Sequence, residues 1–418
     1  ATFFLGVPVA VSAVDQPITG EPVLASTQAK QVLRLEDALQ LALTQNPGLA
    51  VARSELNAAD AARIQAALWP NPELALEVEG SDSSSREVTL LLAQPLEIGG
   101  QRAARMAVAD QTKQLAETQF ALALATTRAE VIQAFAQALT VREQERQASL
   151  SLELAERALA VTAKRVRAGT ISPVEETRAQ LAATTARSEL RKAQGLLQSA
   201  RQQLAALLGH TAFEFADIEG DLSALPAQPP LSALAQQIAT SPRLSLARQE
   251  LARSQALADL ERARRIPNVT LSAGAKRVEE TDETIPIVGI SMPIPLFDRN
   301  QGNVLEAERR VDLAQDQLAL EEIQLRKDLN VAYSRLEVAQ DEAELIRNDI
   351  LPGAKSAYDA AVKGFELGKF SFLDVLDAQR TLYQARTQYV EALAEAHDAY
   401  ADIESFRGTG LPSDPVSQ

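Results

Sequence analysis

GKFSFLDVLDAQRTLYQAR spans residues 368–386, and the same frame occurs upstream as GTISPVEETRAQL, residues 169–181. Each stretch has a glycine, a serine three positions later and an acidic residue three positions after the serine. The matched pairs are Gly169 and Gly368, Ser172 and Ser371, and Glu175 and Asp374. Because a constant separation of about half the chain indicates an internal repeat, we interpret the sequence as two copies of one structural unit.

Both frames carry the signals of one helix that ends and another that begins. A glycine just past a helix end supplies the left-handed conformation of a C-cap, which fits Gly169 and Gly368. Ser172 and Ser371 fit the N-cap of the next helix, because a serine side chain accepts a hydrogen bond from a free backbone N–H group. Each half is therefore predicted to contain a helical hairpin with a tight, exposed tip.

A long helix is predicted before each tip, over about 101–168 in the first half and about 303–367 in the second. In the second helix, apolar residues follow a seven-residue repeat, which implies left-handed supercoiling against a neighbour. This stripe contains Val304, Val311, Leu318, Leu325, Ala332, Ala339 and Ile346. Each helix would be on the order of 100 Å long, so the helices must pack side by side to bury their stripes.

Before each long helix the apolar pattern changes from helical to alternating, which predicts strands. The strands are expected at 73–80 and 86–99 in the first half, and at 268–277 and 285–297 in the second. One face of the third strand is apolar and the other is polar or small. The apolar face has Val269, Leu271, Ala273 and Ala275, and the other has Thr270, Ser272 and Gly274. Each hairpin is thus predicted to be amphipathic.

The repeat also sets the domain organisation. Each unit consists of a helix pair, a β-hairpin, a long helix and a return helix, so the chain is mainly α with a small β part. In order, the segments are a signal remnant with an extended segment (1–32), the first repeat (33–209, hairpin strands about 73–99), a linker (210–230), the second repeat (231–408, hairpin strands about 268–297) and a loose C-terminal tail (409–418).

Composition limits the class of function. The 418-residue chain has a formal net charge of −15 and no cysteine. A nucleic-acid partner is not expected, because phosphate binding needs a basic surface. The sequence also has no clustered histidines, no glycine-rich phosphate loop and no plausible catalytic triad. We therefore predict no enzyme activity, no cofactor and no resident metal site.

The apolar run ATFFLGVPVAVSA, residues 1–13, resembles the end of a secretory signal peptide, which predicts a protein of the cell envelope; a disordered apolar tail is the alternative. If the amphipathic strands lie in a membrane, an open four-stranded sheet would leave edges that lipid cannot satisfy. Because each chain has four strands, one barrel must then be shared by two chains, which gives eight strands, or by three chains, which gives twelve. The long helices would continue the barrel wall as a coiled-coil tube.

The order of elements and three sequence features resemble the TolC-like outer-membrane efflux proteins. These features are the Pro-Leu steps at 95–96 and 295–296 after each hairpin, the Gly-x-x-Ser tips, and FLDVLDAQRTLYQAR at 372–386. The stretch PLFDRNQG at 295–302 is similar to the heavy-metal branch, with its Czc-type and Cus-type outer-membrane components. The resemblance covers about residues 33–408.

The resemblance implies a homotrimer with a twelve-stranded transmembrane barrel in the outer membrane lipid of a Gram-negative bacterium and a long periplasmic α-helical tunnel. Its implied partners are a periplasmic adaptor (membrane fusion protein) and an inner-membrane RND-type pump driven by protons. On this basis the chain is expected to be the exit duct of a tripartite efflux system, with divalent heavy-metal cations as cargo. A duct of the same fold for drugs or other organic compounds, or a soluble periplasmic coiled-coil adaptor, are the alternatives.

The resemblance also implies two sets of site residues. Asp374 and Asp377 match acids that form rings at the narrow periplasmic end of the tunnel, where like charges attract cations. Helix capping alone also explains Asp374, because Ser371-x-x-Asp374 is a capping box. In the first repeat Arg178 replaces the second acid, so Arg178 and Glu175 are the matched gate candidates, with Arg178 expected to pair with a carboxylate across the closed tip. The residues implied to meet the adaptor are Gly169, Thr170, Gly368 and Lys369, although the glycines also serve as simple C-caps.

Overall fold

The structure is a computed structural model that describes residues 32–80, 82, 86–225 and 230–407. The signal-like run and the C-terminal tail expected from the sequence lie outside the described residues. No helix in the described part of the chain has the length and apolar character needed to cross a membrane.

Both halves of the chain contain the same elements in the same order. The first half has α1 (Leu35–Gln45), α2 (Pro47–Ala66), β1 (Glu73–Glu79), β2 (Glu87–Leu96), α3 (Gln101–Arg167) and α4 (Pro173–Leu207). The second half has α5 (Leu231–Gln237) with a 3₁₀ turn (Ile238–Thr240), α6 (Pro242–Ala263), β3 (Val269–Val278), β4 (Glu283–Ser291), α7 (Gln301–Leu345), a π-helical turn (Ile346–Ile350), α8 (Leu351–Glu366) and α9 (Phe372–Phe406). The predicted mainly helical fold with a small β part is confirmed.

The four strands form one antiparallel sheet in the order β1-β2-β3-β4. Its register places Leu76 opposite Leu90, Leu90 opposite Ala275, and Ala273 opposite Val288. Because side chains alternate along a strand, the sheet has two distinct faces. We call one the apolar face; Gln94, Arg277 and Thr284 also lie on it, and its apolar residues are Leu74, Leu76, Val78, Val88, Leu90, Leu92, Leu271, Ala273, Ala275, Pro286, Val288 and Ile290.

The opposite side of the sheet, here called the acidic face, carries every carboxylate of the described strands. These are Glu73, Glu77, Glu79, Glu87 and Glu283. A single lysine, Lys276, lies among them and forms ion pairs with Glu87 and Glu79. The apolar face is uncovered in the single chain, since Leu74 is 70% exposed and Val288 is 88% exposed.

The helices continue the sheet as a wall one helix thick. Near the sheet, α2 packs on α3, α3 on α6, and α6 on α7. Farther away, α4 packs on α3, α3 on α9, and α9 on α8. The predicted heptad stripe of α7 faces these neighbours: Val304, Leu325, Ala332, Ala339 and Ile346 are buried, and Val311 and Leu318 are half-buried. That prediction is confirmed.

Between the helices near the sheet and those farther from it, the segment before α1 packs against the segment that joins the two halves. Leu33 forms a parallel bridge with Ile218, and both side chains are buried with α1, α3 and α4. Arg142 reaches the carbonyl of Ile218 from α3. This contact fixes the described part of the linking segment against the helices.

Two predictions about the second half were wrong in detail. The second long helix is not α-helical throughout, because a π-helical turn lies between α7 and α8, with the N–H of Leu351 bonded to the carbonyl of Ile346. Pro352 follows directly and has no N–H to donate, which disfavours a regular α-helical turn there. β4 ends at Ser291, six residues before the predicted strand end at 297.

Candidate functional site

The candidate site lies at the two hairpin tips, residues 168–172 (the first tip) and 367–371 (the second tip). Gly169 has φ of 71° and Gly368 has φ of 73°, both in the left-handed region. The N–H of Gly169 bonds to the carbonyl of Val166, and the N–H of Thr170 to that of Arg165. This is a Schellman motif, and Gly368 with Lys369 repeats it in the second tip. The predicted C-caps are confirmed.

Both return helices begin at the predicted serine. The hydroxyl of Ser172 accepts from the N–H of Val174, with Pro173 at the first helical position. The hydroxyl of Ser371 accepts from the N–H of Asp374 at 3.3 Å, and the Asp374 carboxylate accepts from the N–H of Ser371 at 2.8 Å. These reciprocal bonds form a capping box, so Asp374 has a structural role in the isolated chain.

The second gate position differs between the tips. Arg178 donates to Glu175, one turn earlier in its own helix, at 3.0 Å. In the single chain, the carboxylate that Arg178 contacts therefore belongs to its own helix, α4. Asp377 is exposed on α9, and within the described residues its carboxylate forms no ion pair. The Glu175 carboxylate of the first hairpin is thus paired with Arg178, whereas the Asp377 carboxylate of the second hairpin has no ion-pair partner among the described residues.

A small apolar cluster brings the two hairpins together behind the tips. Ala179 of the first hairpin is buried against Phe365, Phe372 and Val375 of the second. The rings of Phe365 and Phe372 lie 5.7 Å apart between centroids. The two helices that carry the predicted gate residues thus contribute to one apolar cluster, although Asp374 and Asp377 themselves face solvent in one chain.

Arg165 provides a second link between the tips, which sequence reasoning missed. Its Nη2 donates to the carbonyl of Phe365 at 2.9 Å and to that of Glu366 at 3.2 Å. Its guanidinium also lies 4.2 Å from the centroid of the Phe365 ring. Arg165 therefore caps the end of α8 from the end of α3. No sequence motif marks this contact, because it depends on how the two hairpins are placed.

The position in the second repeat that corresponds to Arg165 is Gly364. A Cβ at position 364 would lie 2.1 Å from the ring of Phe370. The Phe370 ring can therefore pack over the end of α8 only because residue 364 is glycine. Phe370 stays half exposed, and Leu367 and Leu373 are exposed beside it. The second tip therefore presents more apolar surface than the first, where Val174 is the exposed large apolar side chain.

The described residues contain no group of three or more His, Cys, Asp or Glu side chains arranged to hold a metal ion. One carboxyl group on α9 is perturbed: burial raises the pKa of Asp398, and the nearby carboxylates of Glu395 and Asp402 raise it further. Arg335 and a hydrogen bond from Gln133 act in the opposite direction. This group lies far along α9 from the tip.

A family profile and individual relatives both match this chain over most of its length. The sequence profile of a family described as "Outer membrane efflux protein" matches residues 38–210 and 233–409. The cobalt-zinc-cadmium resistance protein CzcC of Cupriavidus metallidurans is 40% identical over 408 residues, covering 98% of this chain and 97% of the relative. The nickel-cobalt-cadmium resistance protein NccC of Alcaligenes xylosoxydans xylosoxydans is 31% identical, covering 70% of this chain and 68% of the relative.

Solved structures show the same fold at low sequence identity. The outer-membrane channel OprN superposes with a TM-score of 0.76 at 21% identity, covering 90% of both chains. CusC, whose crystal structures address folding and transmembrane channel formation, has a TM-score of 0.74 at 20% identity and covers 88% of this chain and 90% of its own.

Proposed function

Because this chain belongs to the outer membrane efflux protein family, we propose that it forms the exit duct of a tripartite system that exports divalent heavy-metal cations from the periplasm. The chain is an outer-membrane efflux protein with a periplasmic extension, and the family's role is transport. The observation that carries the metal proposal is the 40% identity to a cobalt-zinc-cadmium resistance protein over nearly the whole of both chains.

The charge distribution of the sheet supports a cation as cargo. All five described strand carboxylates lie on the acidic face, while the apolar face is suited to lipid. If the acidic face lines the duct, each copy contributes five carboxylates and one lysine to the wall. Rings of carboxylates in a pore favour cations over anions. Selection of one metal is assigned to the pump, because a duct need not bind its cargo tightly.

The open edges of the wall support assembly from several copies. In the described chain, β1 and β4 each pair on one side only, and α2 and α7 are the corresponding outer helices. Bare strand edges are not tolerated in lipid, so the sheet must be closed by other copies. We propose a homotrimer, which gives a twelve-stranded barrel continued by a coiled-coil tube of the long helices.

The tips provide the proposed contacts at the periplasmic end. Asp374 and Asp377 act as the cation-attracting gate, whereas in the first hairpin Arg178 pairs with the equivalent acid, Glu175. Gly169 and Thr170, with Gly368 and Lys369, form the proposed docking site for the periplasmic adaptor. Both glycines have open space around the position of a Cβ, which leaves room for another backbone. An RND-type pump in the inner membrane completes the system.

Deletion of the gene in its host tests the proposed cargo. The deletion strain is expected to be inhibited by several-fold lower concentrations of cobalt, zinc or cadmium salts, and a plasmid copy of the chain should restore growth. As the matched measurement, the sensitivity of the same strains to organic toxicants such as dyes and detergents is determined. Unchanged metal sensitivity together with raised sensitivity to organic compounds would replace the metal proposal with the organic-compound duct.

A further inference from the structure

Negative charge is concentrated in one half of the acidic face. Four of its five carboxylates, Glu77, Glu79, Glu87 and Glu283, lie in the half of the sheet away from the helices, and Glu73 lies at the end near the helices. Glu79 and Glu87 are direct partners across β1 and β2. Because the Cβ atoms of direct partners lie about 4.5–5.5 Å apart, two like charges at these places destabilise the sheet unless a cation compensates them.

Lys276 on β3 supplies the compensating cation. Its ammonium forms an ion pair with the Glu87 carboxylate and lies 3.9 Å from a carboxylate oxygen of Glu79. Arg277, the other basic residue of the described strands, lies on the apolar face and pairs with acids of the β3–β4 turn. Within the described strands, one lysine therefore serves as the counter-ion shared by the two facing glutamates.

The internal repeat shows that this lysine stands at the place of an acid. The offset of 197 residues that relates Pro70 to Pro267 also relates Glu79 to Lys276. The charge at this place therefore changes sign between the two repeats, although the strands are equivalent. A neutral residue would be enough to avoid one more negative charge on the face. The positive charge goes further, because it comes to lie beside the Glu79–Glu87 pair.

A pair of facing carboxylates is also a binding site for the proposed cargo. Carboxylate oxygens bind divalent transition-metal ions, and water can complete the coordination. A divalent ion carries twice the charge of an ammonium group, so the Coulomb attraction between it and the pair would be twice as large at equal distance. Glu79 is exposed, so ions in solution can reach it. Conduction requires the opposite of retention, since an ion must leave a pore as easily as it enters.

We propose that Lys276 is a tethered counter-ion that prevents the Glu79–Glu87 pair from retaining the divalent cations that the duct passes. This inference rests on the proposed metal-exporting duct and assigns a role to one residue of its wall. Because the ammonium is attached to β3, it cannot diffuse away, and a passing cation must displace it before it can bind both carboxylates. The other acids of the face keep the wall negative, so cations are still attracted into the duct.

Cobalt binding to the purified full-length protein tests the role of Lys276. In detergent at neutral pH, Lys276→Gln should bind Co²⁺ about tenfold more tightly than the native protein in equilibrium dialysis, because the competing charge is gone. Lys276→Arg keeps the charge and should bind Co²⁺ like the native protein. Lys113→Gln is the matched control, since it removes a lysine that pairs with Asp60 on the helices and changes the net charge equally.

The gained binding must depend on the two facing glutamates. The triple variant Glu79→Gln/Glu87→Gln/Lys276→Gln should therefore lose it. Unchanged Co²⁺ binding in Lys276→Gln, or a gain that persists in the triple variant, would overturn the proposal.

A further variant tests the proposal even if Lys276→Gln fails to fold. Glu79→Gln/Glu87→Gln keeps the lysine and removes the repulsion between the two acids, and it should bind as much Co²⁺ as the native protein. Lower binding in this double variant would show that the native pair holds the ion despite Lys276, which would also overturn the proposal.

Block of the channel by cobalt is the second measurement. In planar bilayers, Co²⁺ should block the single-channel K⁺ current of Lys276→Gln at about tenfold lower concentration than that of the native protein. A purely structural lysine would change the thermal stability of the sheet without changing this block. If the native protein conducts K⁺ and the two proteins are blocked equally, the role of Lys276 is wrong and the duct proposal stands. If the native protein forms no channel, the duct proposal fails and the role of Lys276 fails with it.

Discussion

The two long helices differ although they occupy equivalent places in the repeat. α3 runs for 67 residues without interruption, whereas α7 stops after 45 residues at a five-residue π-helical turn. The sequence at the break is Leu351-Pro352-Gly353, and its counterpart in α3 is Leu152-Glu153-Leu154. Pro352 lacks the N–H that would continue the ladder, so the second hairpin is connected to its long helix through a local irregularity.

The two hairpin tips also differ, in ion pairing and in packing. In the first hairpin, Arg178 neutralises Glu175, and Arg165 extends outward to cap the second hairpin. In the second hairpin, Asp377 has no ion-pair partner among the described residues, and Gly364 makes room for Phe370. The first hairpin thus supports the second through Arg165, and the second hairpin is the more acidic and less regular of the two. The predictions below test that difference.

The largest expected effect comes from bulk at the glycine tips. Gly169→Leu and Gly368→Leu force a branched side chain into a positive-φ position at the proposed docking site. Each should reduce metal resistance to the level of the deletion strain while the trimer survives. Gly195→Leu is the matched control, because its glycine also has open space but has no positive φ. Normal resistance in either tip variant would contradict the docking role of that tip.

Removing charge from the second tip should alter ion selectivity. One carboxylate about 4 Å from a monovalent cation contributes about 1 kcal/mol in bulk water, so Asp374→Ala/Asp377→Ala should lower the cation preference of single channels by about fivefold or more. The double variant Glu175→Ala/Arg178→Ala removes a neutral pair and should change the cation preference little. Equal effects of the two variants, or none in the first, would contradict the assignment of the gate to the second tip.

Loss of the link between the tips should loosen the second one. Arg165→Ala removes two charge-assisted hydrogen bonds to the end of α8 and the contact with Phe365, which together contribute about 2 kcal/mol locally. Hydrogen exchange of residues 364–371 should speed up, while the tip of the first hairpin changes less. Arg167→Ala is the control, because the side chain of Arg167 donates to the carbonyl of Ala163 in its own helix and, among the described residues, has no bond to the second hairpin. Similar exchange in both variants would show that Arg165 does not hold the tips together.

The smallest expected effect concerns Asp398 on α9, whose counterpart on α4 is the neutral Ser199. Burial raises the pKa of Asp398, so the fold disfavours its charged form and loses stability as pH rises through that pKa. Asp398→Asn should therefore raise the thermal unfolding temperature at neutral pH, with a gain below about 1 kcal/mol after solvent screening. The gain should vanish below about pH 4, where the carboxyl is protonated in both states. A gain that is independent of pH would show a different cause.

Much of the structure of the hairpin tips could be predicted, because it depends on residues that are close together in the sequence. Gly169, Gly368, Ser172 and Ser371 act within one turn of chain, and the capping box of Asp374 is a property of four consecutive residues. Arg178 was expected to pair with a carboxylate across the closed tip, which stays a prediction; in the single chain it pairs with Glu175, because residues three apart on a helix are neighbours. Arg165 escaped prediction because its partners are about 200 residues away in the chain.

By itself, the sequence determined the repeat, the helical and strand periods, the caps and the two faces of each hairpin, since each depends on residues a few positions apart. Only the tertiary structure decided that β2 pairs with β3 and that α3 caps the end of α8. These features depend on which surfaces meet after distant segments pack, and a short-range pattern carries no information about that choice. The strand edges that remain free in one chain follow from the same packing.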